Sequence, residues 1–310
     1  MQQEKLVKIL KQLYWHMVPY YLRRKIAYCV KQKYKSTILK EINTQLNSNI
    51  TMEESKEFLK IKDYIKKNGV STYNYSYTDN YKIKDFKKKI MYDSRYRMYY
   101  TIRNGHPLFL KKTYNTKVMA AHCYMNICME QDVESPHCYL DRTRDNLKGD
   151  ILIDAGAAEG FFALDNINSF SRIIIIECEK EWIEALKITF QEELKSGKVE
   201  IVDRYLSDVV SDNEITIDKL LEGEEDILSI TVKMDIEGYE CKALCGAKET
   251  LSRNINENFF IAAYHKKDDE RDIRRCLENF ELESTKGYLV FTEGTDKKNL
   301  LRKGVIRANK

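Results

Sequence analysis

Three short segments carry the residue types and spacing that could do chemistry. The first is Ile151 to Leu164, ILIDAGAAEGFFAL, in which an apolar run passes through Asp154, Gly156, Glu159 and Gly160 into an amphipathic stretch. A strand that turns at once into a helix needs glycine where the backbone bends sharply and a ligand comes close, which Gly156 and Gly160 supply. The second is Arg172 to Glu177, RIIIIE, the continuous apolar run of a parallel strand buried on both faces, ending in an acid. Glu177 lies 177 − 154 = 23 residues after Asp154, close to the spacing of about 20 at which such folds place a carboxylate on ribose hydroxyls. The third is Ser229 to Leu251, SITVKMDIEGYECKALCGAKETL, a strand over 229–234 followed by Asp235 and Glu237. Two-residue spacing points both carboxylates to one side if the extended backbone persists. Gly238 then releases a helix with Leu244, Ala247 and Leu251 on one face.

The loop also says which ligand it does not suit. A dinucleotide fingerprint anchored on Gly156 needs glycines at 158 and 161, where the chain has Ala158 and Phe161. Glu159 would oppose a pyrophosphate on a helix N-terminus that otherwise attracts anions. A ligand with a ribose, a cationic centre and no phosphate fits better, and S-adenosylmethionine has that chemistry. In open α/β sheets ligands bind beyond the carboxyl ends of the strands where strand order reverses. If the 229–234 strand neighbours the first, Asp235 and Glu237 face the donor there. His265 closes the apolar run 258–264, NFFIAAY, at the same edge. A sulfonium methyl is already electrophilic, so catalysis needs in-line positioning and a base for the acceptor's proton, and a neutral His265 imidazole could be that base. Asp235, Glu237 and His265 could instead gather Mg²⁺, since oxygen ligands suit a hard cation.

The sequence resembles the FkbM-type S-adenosylmethionine-dependent methyltransferases. The resemblance rests on IDAGAAEGFFAL and VKMDIEGYECKALCGAKETL, with weaker blocks NGHPLFL, SPHCYL and AAYHKKDD, across about residues 98 to 290. It implies a class I methyltransferase fold, a Rossmann-like, doubly wound, mostly parallel sheet, acting on a hydroxyl of a sugar or polyketide-like molecule. Asp154, Gly156, Ala157, Glu159, Gly160, Phe161 and Glu177, with Ser207, Asp208 and Asp235, form the expected cofactor set. Asp235, Glu237 and His265 form the catalytic set. The expected acceptor is a hydroxyl of a sugar in a surface glycan or its precursor. N-methylation of an amino group and a non-catalytic partner that keeps the cofactor fold stand as alternatives.

The elements that must position these residues divide by charge. Residues 1–115 hold 25 Lys plus Arg against 9 Asp plus Glu, a net of +16, and the remaining 27 against 39 give −12, which sums to the +4 of the 310-residue chain. The first part reads as a mainly helical, tyrosine-rich region for acceptor recognition, a lid or dimerisation, and residues 116–310 as the cofactor domain. A helix to about Met17 broken by Pro19, with an apolar face of Leu6, Ile9, Leu10 and Leu13, precedes a helical stretch from Tyr20 to about Leu46. Thr51-x-x-Glu54 is a capping box for a helix ending at Asn68-Gly69. Tyr73, Tyr75 and Tyr77 alternate as in a strand, and Asn104-Gly105 marks a hairpin over 98–111.

Basic charge with 15 of the 21 tyrosines suits an anionic or nucleotide-linked acceptor, or an acidic membrane surface. Lys87 to Lys89 are the expected contacts. Nucleic acid is disfavoured, because Asp235 and Glu237 would repel a phosphate backbone. No apolar run approaches a membrane span and no leader pattern opens the chain, so a cytoplasmic protein is expected. The eight cysteines lack paired spacing for a disulfide framework or a zinc site around His122, Cys123, Cys128, His137 and Cys138. Cys29, Cys178, Cys241, Cys245 and Cys276 read as buried free thiols.

Overall fold

A computed structural model describes residues 18–140, 147–292 and 300–310. The helix expected up to Met17 lies outside them. Helices α1 (Tyr20–Gln32), α2 (Lys35–Leu46) and α3 (Met52–Asn68) come first, and the single stretch expected from Tyr20 to Leu46 is interrupted at Lys33-Tyr34. The capping box forms: Glu54 N–H donates to Thr51 Oγ1 at 3.1 Å and Thr51 N–H returns to Glu54 Oε2 at 3.0 Å. Gly69 at φ +83° stops α3. Tyr73, Tyr75 and Tyr77 do not make a strand. Ser76–Asn80 is a 3₁₀ turn, and the three rings fill an apolar cluster with Ile38, Ile42, Phe58 and Ile61 instead of alternating between two faces.

A short helix α4 (Ile83–Lys87) leads to β1 (Met91–Asp93), β2 (Met98–Arg103) and β3 (His106–Phe109), an antiparallel sheet. Its hairpin turns at Asn104 and Gly105, φ +51° and +83°, the doubly positive turn that matches strand twist. Arg103 clamps Asp165 of the next layer with two hydrogen bonds, which fixes the hairpin to the main domain. Helix α5 (Lys117–Glu130) follows, capped by Thr116.

The main domain runs β4 (Gly149–Ala155), α6 (Phe161–Asp165), β5 (Phe170–Ile176), α7 (Lys180–Thr189), α8 (Gln191–Ser196), β6 (Val199–Val202), the pair β7 (Tyr205–Leu206) and β8 (Glu214–Ile215), and α9 (Ile217–Leu220). It continues through β9 (Ser229–Met234), α10 (Glu240–Cys245), α11 (Lys248–Leu251), β10 (Asn256–Ala262), α12 (Asp269–Cys276), β11 (Glu281–Ser284), β12 (Leu289–Val290), β13 (Leu301–Arg302) and β14 (Val305–Asn309). The seven-stranded sheet is ordered β11-β14-β10-β9-β4-β5-β6. Strands β6, β5, β4, β9 and β10 are mutually parallel, and β14 runs antiparallel to both β10 and β11. Order reverses at β4, which has β5 on one side and β9 on the other.

Alternation places Leu152 with Phe162, Phe190 and Phe260 on one face, and Ile151, Ile153, Val232 and Ile261 on the other. Both faces are covered, which explains why β4 and β5 read as continuous apolar runs. The third cluster joins α2 and α3 to Leu289, Val290 and Leu300, so the N-terminal helices share a core with the chain's last strands. The helix expected after Gly238 is two, α10 and α11, because Gly246 passes so close to the Ser207 carbonyl that a Cβ there has no room. Among the described residues no helix is long and apolar enough to cross a membrane.

Candidate functional site

The β4–α6 loop is built on positive φ: Gly156 at +67°, Ala158 at +48° and Gly160 at +78°. A Cβ on Gly156 would overlap the Asp235 carbonyl oxygen, so this glycine exists for the contact between the ends of β4 and β9. A Cβ on Gly160 would strike Leu186 and Phe190 of α7 and its end, a packing requirement. Asp154 is fully buried beneath the loop, where Oδ2 accepts from Ala163 N–H at 3.1 Å and Oδ1 lies 3.2 Å from Lys233 Nζ. Lys233 also donates to the Gly156 carbonyl at 2.7 Å. Burial works to lower the Lys233 ammonium, but Asp154 and Asp235 outweigh it and raise its pKa. Asp154 thus shapes the loop from below.

Glu177 caps the same loop from the β5 end. It accepts from Ala158, Cys178 and Glu179 N–H, each at 2.8 Å, and it lines a cavity of about 330 Å³. That cavity is walled further by Trp182, Arg204, Tyr205, Leu206 and Ile236. Ser207 and Asp208 are not brought to it. Ser207 Oγ donates to Glu214 at 2.8 Å and Asp208 pairs with Lys242 at 3.3 Å, so the chain presents the three preceding residues to the crevice.

A second cavity, about 230 Å³, shares Gly156, Ala158, Trp182 and Asp235 with the first. Ala157, Glu159 and Phe161 from the loop, with Glu130, His137, Tyr139 and Lys233, complete its main walls. Burial pushes the Glu159 carboxyl up to about 8, and the Glu130 carboxyl is raised for the same reason.

A third cavity, about 470 Å³, lies beyond: Tyr73, Tyr264, His265, Phe291 and Lys31 line it, and it shares Glu130 with the second cavity and Glu237 with the first. Lys87, Lys88 and Lys89 line none of the three, and all are exposed.

Asp235 stands where the first two cavities meet. Its Oδ2 accepts from Tyr139 Oη at 2.7 Å and lies 3.5 Å from His137 Nε2, while Oδ1 accepts from Tyr264 Oη at 3.3 Å and lies 3.2 Å from His265 Nε2. Burial alone would raise this carboxyl, but hydrogen bonds from His137 and His265 prevail and hold it well below the usual range. Glu237 reaches this group only at its edge, its Oε2 3.8 Å from His265 Nε2. The extended backbone ends at Asp235, Glu237 adopts φ +57°, and its side chain is 90% exposed. The acid that packs on His265 is Glu240, 1% exposed, its Oε1 held by Ile236 and Gly238 N–H at 3.0 and 3.3 Å. Oε1 lies 3.0 Å from His265 Nδ1, an ion-pair contact not aligned as a hydrogen bond.

Two expectations are corrected by this arrangement. Burial disfavours an imidazolium, yet Asp235 and Glu240 overcome it and push His265 up to about 10, so at neutral pH it is charged and cannot accept a proton. The Mg²⁺ set of Asp235, Glu237 and His265 does not assemble either. Donor atoms of Asp235, Glu240 and His265, but not of Glu237, fall within 4.8 Å of one another, and Asp235 and Glu240 face opposite ring nitrogens. That is a bridge between two acids, not a shell around one cation.

The thiols also differ from expectation, since Cys29, Cys245 and Cys276 are exposed and Cys138 alone of the eight is buried. Sequence reasoning missed His137, Tyr139, Tyr264, Glu130, Glu240 and Lys233 as site residues. His137 and Tyr139 lay inside the SPHCYL block, Lys233 and Glu240 inside VKMDIEGYECKALCGAKETL and Tyr264 inside AAYHKKDD, signals that could have found them.

The strand order, with one antiparallel strand next to the edge, decides the class. The fold is that of a class I methyltransferase. The chain matches no protein-family model and no curated protein. Similar solved structures include the methyltransferase FkbM from Methylobacillus flagellatus KT, at 14% identity and TM-score 0.40 over 78% of this chain and 63% of that one. They also include magnesium protoporphyrin IX methyltransferase ChlM from Synechocystis PCC 6803 with bound SAM, at 16% identity and TM-score 0.36 over 60% and 81%. The M. jannaschii tRNA m1G37 methyltransferase stands at 12% identity and TM-score 0.37 over 69% and 54%. The chain thus spans 63% of the length of the FkbM structure. Likenesses this small carry no argument about substrate, and the class rests on the strand order itself.

Proposed function

We propose that the protein is an S-adenosylmethionine-dependent methyltransferase whose donor occupies the first two cavities and whose acceptor enters through the third. The observation that carries this reading is the continuous, acid-walled crevice at the switch point, where Glu177, Asp235, Glu159 and Glu130 face spaces that meet at Gly156. Such walls favour a cation and oppose phosphate. Adenosine belongs in the cavity beneath Glu177, whose oxygens can take the ribose hydroxyls. The methionine end belongs in the second cavity, where Glu159 faces its ammonium. The sulfonium then lies near Asp235, between donor and acceptor spaces.

In the reaction an acceptor oxygen attacks the methyl carbon, the carbon–sulfur bond breaks to leave a neutral thioether, and the acceptor's proton must go to a base. His265 is already protonated and Asp235 is too weak a base to keep that proton. Glu130 lines both the second and third cavities and its pKa is raised, so it is assigned the base, with Asp235, His137 and Tyr264 orienting the acceptor.

Tyr73, Tyr264 and Phe291 offer ring faces and Glu130 and Glu237 accept hydroxyls, which supports a sugar-like hydroxyl acceptor. The same carboxylates would also attract an ammonium, which supports an amine as the second reading. Calorimetry with S-adenosylhomocysteine and NAD tests the donor. Binding of the first without the second is expected, and the reverse rejects the assignment. Tritium transfer from labelled donor into candidate amino sugars and neutral sugars then separates the two acceptors.

A further inference from the structure

Helix α1 has no buried residue, and it is built inside out. At roughly 100° per residue, Tyr20, Lys31 and Gln32 share one side and Leu22, Ile26 and Val30, spaced by four, share the other. The first group holds the protein. Gln32 exchanges hydrogen bonds with Val70 N–H and C=O at 2.9 Å each, Lys31 donates to Thr72 Oγ1 at 2.6 Å, and the Tyr20 ring lies 5.5 Å from that of His122. The apolar stripe faces outward, with Leu22, Ile26 and Val30 44%, 40% and 44% exposed. Lys25 lies exposed along one border, while Arg23 on the other is half-buried with its guanidinium 5.7 Å from the Tyr20 ring centroid.

We infer that this face docks the protein on an anionic lipid surface. An amphipathic helix with an apolar stripe and cationic borders lies in a bilayer interface, apolar side chains among the acyl chains and basic heads at the phosphates. Charge selects this occupant. Residues 18–40 contain seven Lys plus Arg and no Asp or Glu. A second copy would bring the same cations against each other. Nucleic acid would satisfy the charge and leave the stripe in water.

The test is co-sedimentation of the full chain with vesicles of phosphatidylcholine alone and of phosphatidylcholine mixed with phosphatidylglycerol, across a salt series. Binding to the mixed vesicles is expected, falling steeply with salt. Ile26→Asp should weaken it at least about tenfold, the loss of one buried apolar side chain. Because Ile26 is already exposed, the variant should keep the wild-type circular dichroism and thermal midpoint. Binding that ignores lipid charge, or an Ile26→Asp protein that binds as well as wild type, overturns the inference. So does a protein that ignores both vesicles. In that case, sedimentation velocity showing a dimer that Ile26→Asp dissociates would assign the stripe to a second copy, and a monomer would assign it to another segment of the chain.

Discussion

His265 Nε2 lies 3.2 Å from Asp235 Oδ1, and the imidazole is gripped on its other side by Glu240. With its pKa pushed up to about 10, this histidine is a fixed cation at the crevice rim. Its ring carbon resonances should therefore keep imidazolium shifts through neutral pH in an NMR titration. A midpoint near the unperturbed 6.5 would restore the neutral-base reading.

The same shift sets a stability trend. A raised folded-state pKa gives a contribution fully present below the unfolded value of about 6.5 and lost as pH rises through about 10. The shift corresponds to a few kcal/mol. In His265→Gln, the fall in unfolding free energy over that window should be smaller than in wild type, which chemical denaturation at several pH values measures.

Glu159 titrates in the opposite sense for a ligand. Its carboxyl, pushed to about 8 by burial, is mostly protonated in the empty crevice at pH 7. If the donor's ammonium sits against it, binding must ionise it and release a proton. Calorimetry of S-adenosylhomocysteine in buffers of different ionisation enthalpy should report that release, and Glu159→Gln should abolish it while weakening affinity. The apo form of that variant should gain stability above about pH 4.5, where the unfolded chain's glutamate ionises and the folded one resists. Proton uptake on binding would reject the placement of the ammonium.

Much of this site is legible in the sequence and part of it is not, for reasons that differ by residue. Asp154, Gly156, Gly160 and Glu177 could be read because backbone geometry demands them: the strand-to-helix turn admits few residue types. The partners of Asp235 come from three separate segments, 137–139, 240 and 264–265, and only tertiary packing brings them together. Glu237 misled because a period of two holds only while the strand does, and the chain leaves β9 at Met234. Glu130 carries no local signal at all, being one acid at the end of an apolar helix. The alternating tyrosines had the pattern of a strand but no partner strand to pair with.

Gly156 illustrates how a correct residue can have the wrong reason. Its Cβ would meet the Asp235 carbonyl before any ligand, and its φ of +67° disfavours every other residue. Gly156→Ala should cost about 3 kcal/mol or more in thermal unfolding, a structural loss visible without cofactor. An Ala variant of wild-type stability that fails to bind donor would return the residue to direct ligand contact.

Asp235→Asn separates the charge of the hub from its hydrogen bonds. The amide keeps an acceptor for Tyr139 but leaves His265 with Glu240 as its close buried anion, so stability should fall by about 3 kcal/mol. The informative quantity is the ratio of affinities for S-adenosylmethionine and S-adenosylhomocysteine, which differ by a methyl group and a positive charge on sulfur. At an effective dielectric near 20, a carboxylate within several ångströms of the sulfonium contributes about 1 to 3 kcal/mol that the neutral thioether does not feel. The variant should therefore lose roughly tenfold or more in S-adenosylmethionine affinity while S-adenosylhomocysteine binding changes little. Equal losses for both ligands would mean that Asp235 supports the crevice wall without facing the sulfur, and would move the reacting methyl away from the junction of the first two cavities.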